Sequence, residues 1–171
     1  MHEKFMQVAI NEASKFLETK SGGPFGAVIV KNNEIISVGS NKVTVQNDPT
    51  AHAEIVAIRS ACQKLKNFSL TGCELYSSCE PCPMCLSAIY WSRLDKVYFA
   101  TDRKDAANIG FDDDFLYNEV TKNISERSLP FQQIKIATAQ VYAILCAVIV
   151  NVVNGIVGYC NKVCSSICSG A

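Results

Sequence analysis

His52-Ala53-Glu54 and Pro81-Cys82-Pro83-Met84-Cys85 set a tertiary condition that any fold of this chain has to meet. One imidazole and two thiolates, about 30 residues apart, must converge on one metal ion. His52, Cys82 and Cys85 are soft-to-borderline ligands that suit tetrahedral zinc and leave its fourth position open for water. A purely structural zinc site fills that position with another Cys or His. The nearest extra group here is the Glu54 carboxylate, which is better suited to moving protons than to closing the coordination shell. The pattern reads as a catalytic Zn2+ site.

Zinc lowers the pKa of a bound water from about 15.7 to about 7 and so supplies hydroxide at neutral pH. Glu54, two residues from His52, is the expected proton shuttle, provided its pKa is tuned toward neutrality. The backbone N–H of Ala53 is a candidate to orient a substrate or product oxygen. A Cys-x-x-Cys pair alone also suits a redox dithiol. His-x-Glu upstream and a proline before the first cysteine weigh against that reading. Cys79 is expected to be a packed or pocket-wall thiol rather than a third sulfur ligand, and His2 a solvated terminal residue.

A chain of 171 residues can bury a full core in one domain. Sixteen basic residues balance sixteen acidic ones, so no basic field advertises nucleic acid. The first residues lack the apolar run of a signal peptide, and a thiolate metal site suits the reducing cytoplasm. Helical spacing covers residues 3–19, and Ser21-Gly22-Gly23-Pro24 breaks it. Two strands, 25–30 and 34–38, flank the Asn32-Asn33 turn. A helix is expected over 51–65, with Ile55, Ile58 and Leu65 inward, then a strand over 74–77 and a helix over 83–91. A strand over 96–100, a short helix over 111–120 and a last strand over 131–136 complete the pattern. Alternating strands and helices after an opening hairpin predict an α/β sheet covered by helices. Both metal motifs fall at helix starts, where the positive end of the helix dipole favours thiolates.

Further stretches carry a family resemblance. They are Gly22-Gly23-Pro24-Phe25-Gly26-Ala27, Asn47-Asp48-Pro49-Thr50-Ala51 before His52, and Ser78-Cys79-Glu80 before Pro81. Ala88-Ile89-Tyr90-Trp91 and Gly110-Phe111-Asp112-Asp113 complete the set. Residues 1–136 resemble the cytidine-deaminase-like superfamily, and within it the bacterial-type guanine deaminases. The resemblance implies a three-layer α/β/α fold with a mixed sheet, a homodimer, and hydrolysis of guanine to xanthine and ammonia in purine salvage. It implies Asn41 as a polar contact to the purine, Phe25 and Trp91 as aromatic walls, and Asp113 as the carboxylate that reads guanine N–H donors. The zinc motif is shared across the superfamily and does not choose the base. The rivals are a guanosine or other nucleoside deaminase, a tRNA adenosine deaminase, and a zinc-bound scaffold of weak activity.

Residues 137–171 form an atypical apolar tail with one charge, Lys162, and four of the nine cysteines. Val141 to Cys160 is uncharged, close to the roughly 20 residues a membrane span needs, but Asn151, Asn154, Gly155 and Gly158 interrupt it. Cys160, Cys164 and Cys168 recur every fourth residue, a spacing open to acylation or a second metal. The preferred reading is a lineage-specific or frame-altered ending that packs poorly and favours aggregation.

Overall fold

The computed structural model describes residues 2–152, with side chains for residues 2–146. The chain up to Asn123 forms one compact unit, and the described residues from Ile124 onward belong to a second.

The first unit opens with helix α1 (His2–Thr19), whose apolar stripe buries Phe5 and Ala9. Strands β1 (Gly23–Lys31) and β2 (Glu34–Asn41) form the expected hairpin. Asn32 and Asn33 turn it with φ of 50° and 65°, the left-handed pair that a two-residue hairpin loop of matching twist requires. Strand β3 (Cys73–Cys79) runs antiparallel to β1, pairing Val28 with Tyr76. Strand β4 (Lys96–Thr101) runs parallel to β3, pairing Tyr76 with Tyr98. The sheet is therefore mixed, in the order β2-β1-β3-β4.

Helix α1 covers one face, where Phe5 and Ala9 meet Val28, Val30 and Tyr76. Helices α3 (Ala53–Leu65) and α4 (Pro83–Ser92) cover the other, enclosing Ala27, Ile29, Ile58, Leu75 and Ile89. The three-layer α/β/α expectation holds. Because both faces are covered, β1 reads as a nearly continuous buried run rather than an alternating one. Each fully buried aliphatic such as Ile29 or Leu75 contributes roughly 1.5–3 kcal/mol relative to exposure.

Two glycines set how closely the layers approach. A Cβ on Gly26 would stand 2.1 Å from the Ala9 carbonyl oxygen, so α1 rests on β1 only because that position is bare. A Cβ on Gly39 would stand 2.3 Å from the Ala53 carbonyl oxygen, at the start of α3. The Ser37 hydroxyl adds a buried 2.7 Å hydrogen bond to the Ala57 carbonyl.

Three short helices complete this unit: α2 (Val43–Gln46), α5 (Arg103–Asn108) and α6 (Asp114–Thr121). The last overlaps the expected 111–120 helix, starting three residues later and ending one later, while the first two had no sequence counterpart. Asp102 and Asp105 close a reciprocal capping box at the start of α5. His2 is exposed, as expected of a terminal residue, but it also makes contacts. Its Nδ1 lies 2.8 Å from the Tyr76 hydroxyl and its ring packs on Tyr98 at 4.6 Å, so it anchors α1 to the sheet.

In the second unit, a 3-10 turn (Ile124–Glu126) leads through irregular chain to helix α7 (Ala137–Val152). Residues 131–136 are not a strand, which corrects the sequence expectation. They are exposed and make no ladder, and an apolar stretch becomes a strand only when a neighbour pairs with it. Among the described residues, no helix is long and apolar enough to cross a membrane. Cys160, Cys164 and Cys168 lie outside the described residues.

Candidate active site

Each metal motif sits where an extended residue turns into a helix. His52 caps α3 with φ −65° and ψ 157°, and Cys82 caps α4 with φ −63° and ψ 167°. Neither side chain is spent on capping its own helix. Pro83 occupies the first position of α4, where its missing N–H costs nothing. Both ligand residues thus stand just ahead of their helices, and Cys85 lies in the first turn of α4. The positive ends of both helices meet at one point.

There the ligand atoms of His52, Cys82 and Cys85 all lie within 4.8 Å of one another. The sulfurs of Cys82 and Cys85 are each 3.6 Å from His52 Nδ1. Tetrahedral zinc with the usual bond lengths, about 2.3 Å to sulfur and 2.0–2.1 Å to nitrogen, calls for a separation of roughly 3.6 Å. The donor set fits zinc in both chemistry and spacing. A hydrogen bond from the Cys85 thiol holds Cys82 down to about 4, and the same bond raises Cys85. The pair thus readily offers one thiolate, and a divalent cation would draw off the second proton. His52 is raised, chiefly by its hydrogen bond with Cys82.

Glu54, in the first turn of α3, is only 6% exposed. Its Oε1 accepts a 3.2 Å hydrogen bond from Ser77 on β3, and the Cys85 sulfur lies 3.5 Å from Oε2. Burial pushes its pKa up, the direction that suits a carboxyl that must take and return a proton near neutrality.

His52, Glu54, Cys79 and Cys82 form the floor of a cavity of about 330 Å³. Phe25 and Asn41 line it from β1 and β2, and Asp113 from the residue ahead of α6. Phe111 meets Phe25 edge-on at 5.0 Å, closing one side. The Asn41 side-chain oxygen accepts from the Val43 N–H at 3.1 Å, which fixes its orientation. Burial raises Asp113 as well. Ala53 is fully buried as the first residue of α3, and its N–H is one of those the helix leaves without an internal partner. Cys79 is a buried wall residue outside the ligand set.

Trp91 is a correction. It is 60% exposed near the end of α4 and does not line the cavity. Sequence reasoning in turn missed Thr44, Arg103 and Leu116, all of which line it. Thr44 lies in a four-residue helix and accepts the Gly22 N–H at 2.9 Å, a contact with no local signature.

Residues 1–101 match the family model for the cytidine and deoxycytidylate deaminase zinc-binding region. The chain is 53% identical over 133 residues to guanine deaminase of Bacillus subtilis, covering 78% of this chain and 85% of that protein. The crystal structure of Bacillus subtilis guanine deaminase superposes with a TM-score of 0.80 at 49% identity, covering 84% of this chain and 94% of that one. The tRNA-specific adenosine deaminase of Aquifex aeolicus is 50% identical over 103 residues, 60% of this chain and 68% of that protein. With a converged zinc-ligand triad beneath a small cavity and the family model matched across both motifs, the chain belongs to the cytidine and deoxycytidylate deaminase family.

Proposed function

We propose that this protein is a zinc-dependent guanine deaminase that releases xanthine and ammonia. The observation that carries the reading is the meeting of Glu54, the His52–Cys82–Cys85 triad, Asn41 and Asp113 around one cavity. Its volume, about 330 Å³, sits at the lower end of the roughly 300–1,000 Å³ of small-molecule sites, a scale that suits a free base. Guanine is rich in N–H donors, and an Asp113 carboxylate is an acceptor for them. Asn41 adds amide N–H donors for the purine's own acceptors. Phe25, with Phe111 at its edge, gives the ring system an apolar wall.

A bound zinc supplies the acidity that makes hydroxide available near neutral pH. His52, Cys82 and Cys85 would hold the metal. Glu54 takes the proton released from the attacking water and delivers it to the ring nitrogen beside the reacting carbon. It then carries the proton of the added hydroxyl to the amino group, so that the C–N bond breaks, a carbonyl forms and ammonia leaves. The Ala53 N–H, which its own helix leaves without a partner, would steady the new oxygen. Burial shields Glu54 from bulk solvent, so its proton exchange is with the groups inside the cavity.

The same reading places the enzyme in the cytoplasm, where the two ligand thiols stay reduced. It also takes the enzyme as a homodimer, in which the exposed Leu86 and Tyr90 of α4 are apolar surface available for burial. The same reading takes residues 1–136 as the catalytic domain, with 137–171 an appended tail. That span extends past the first compact unit, which ends at Asn123, and is close in length to the 133 residues matched to the Bacillus enzyme. A chain ending at Ile136 is expected to remain folded and soluble.

The test is ammonia release by zinc-loaded protein offered guanine, guanosine, adenine and cytosine separately. Turnover of guanine alone is expected. Preference for guanosine, or for adenosine in tRNA, would overturn the assignment.

A further inference from the structure

Helix α6 carries the purine-reading end of the site, yet none of its residues is buried. No core packing therefore fixes Asp113, which directly precedes it. A polar latch supplies the attachment. The Tyr117 hydroxyl donates to the Pro81 carbonyl at 3.1 Å, and Pro81 directly precedes the metal ligand Cys82. Tyr117 in turn lies one helical turn from Asp113, whose carbonyl accepts the N–H groups of Leu116 at 2.9 Å and Tyr117 at 3.4 Å.

Arg103 braces the same ring. Its guanidinium carbon lies 4.6 Å from the Tyr117 ring centroid, and Nη1 is 3.7 Å from Asp114 Oδ1. The Arg103 backbone N–H donates to Glu80 Oε2 at 3.2 Å, and the Glu80 N–H donates to the Thr101 carbonyl at 2.8 Å. The loop that carries Cys82, the start of α5 and the middle of α6 are thus tied together at one phenol.

We infer that Tyr117 is a positioning residue that sets the separation between the purine-reading carboxylate of Asp113 and the metal-bearing loop at Pro81–Cys82. The inference rests on the guanine reading for the role of Asp113, but not for the latch itself. Losing the hydroxyl leaves the triad, Glu54 and the ring's stacking on Arg103 in place. The effect should fall on substrate binding and spare the chemical step.

The experiment compares wild type with Tyr117→Phe, both zinc-loaded. KM for guanine should rise about fivefold while kcat stays within about twofold, the mark of lost binding rather than lost transition-state stabilisation. Zinc content should stay at parity with wild type. Hydrogen exchange of the 110–117 amides should quicken about tenfold, with β1 and β3 amides unchanged as the internal control for folding. Tyr117→Leu, which also removes the ring under Arg103, should raise KM further. Unchanged KM and unchanged 110–117 protection would overturn the inference. So would a fall in kcat that tracks general loss of β1 and β3 protection. If wild type fails to turn over guanine, the functional assignment falls, and the exchange comparison still decides the latch.

Discussion

Ser77 Oγ stands 3.2 Å from Glu54 Oε1, donating from the central sheet into the first turn of α3. Both residues are buried, so water does not compete for the contact. A carboxylate that moves protons between two partners needs one oxygen held while the other works. Ser77 holds Oε1 and leaves Oε2 on the side of the Cys85 sulfur.

Removing that hydroxyl should slow the chemistry more than it weakens binding. A hydrogen bond to a charged or proton-sharing group is worth about 1–2 kcal/mol here, or about 5–30-fold in rate. Ser77→Ala is expected to lower kcat by that factor with KM little changed, and Ser77→Thr to restore most of it. Equal kcat in all three proteins would show that Glu54 needs no support from the sheet.

Glu54→Gln should cost far more activity and gain stability. Loss of the proton shuttle typically removes about 10²–10⁴-fold in kcat. Burial raises the Glu54 pKa above its ordinary 4.5. The folded state therefore binds a proton more tightly than the unfolded chain does. Stability falls as pH rises from 4.5 through the raised value, because ionising a buried carboxyl opposes folding. In chelator-treated protein, the glutamine variant should melt higher than wild type at pH 8, and the gap should close toward pH 4. A gap that widens on acidification would contradict the burial argument.

Metal removal should be felt as lost stability as well as lost turnover. A ligand present at 1,000 times its Kd stabilises the folded state by about 4.1 kcal/mol. At about 2–4 °C per kcal/mol for a chain of this size, chelation should lower Tm by roughly 8–16 °C. Zinc affinity should also fall on acidification, beginning above pH 6.5, because His52 is raised from that value and must be neutral to bind. Metal titrations between pH 6 and 8 check the direction. Cys85→Ser should weaken binding and make the pH dependence shallower, because one fewer thiol proton is released when the metal binds.

The ligand triad was legible because its spacing is local: two short motifs, each at a helix start, each with its own chemistry. The Asn32-Asn33 hairpin was legible for the same reason. Trp91 misled because its identity was weighed without its helical phase. The buried residues of α4 are Cys85, Ile89 and Ser92, spaced by four and three, and Trp91 lies off that stripe. The stretch expected to be a strand at 131–136 holds Phe131, Ile134 and Ile136, but pairing is decided by a distant partner. Helices α2 and α5, of four and six residues, are too short to show a period. The contacts of Arg103 and Tyr117 join segments more than 20 residues apart, and nothing near either residue in the chain announces them.

Gly39 links the sheet's geometry to the metal. A methyl group there would meet the Ala53 carbonyl oxygen at 2.3 Å and the Ala57 nitrogen at 2.6 Å, both backbone atoms of the helix that His52 caps. Neither can swing aside as a side-chain tip would, so α3 must shift or tilt. Overpacking of this kind costs about 1–3 kcal/mol. The first turn of α3 carries Glu54, and its cap carries the imidazole, so the shift acts on the site directly. Gly39→Ala is expected to lower Tm and to weaken zinc binding together. Gly72→Ala offers the contrast: its φ of 82° strains any L-residue, but the new methyl meets only the flexible Lys31 side chain, at the end of β3 opposite the cysteine motif. That variant should lose stability and keep its zinc affinity. If both variants bind zinc as wild type does, the placement of α3 against β2 is not what holds His52 in register with Cys82 and Cys85.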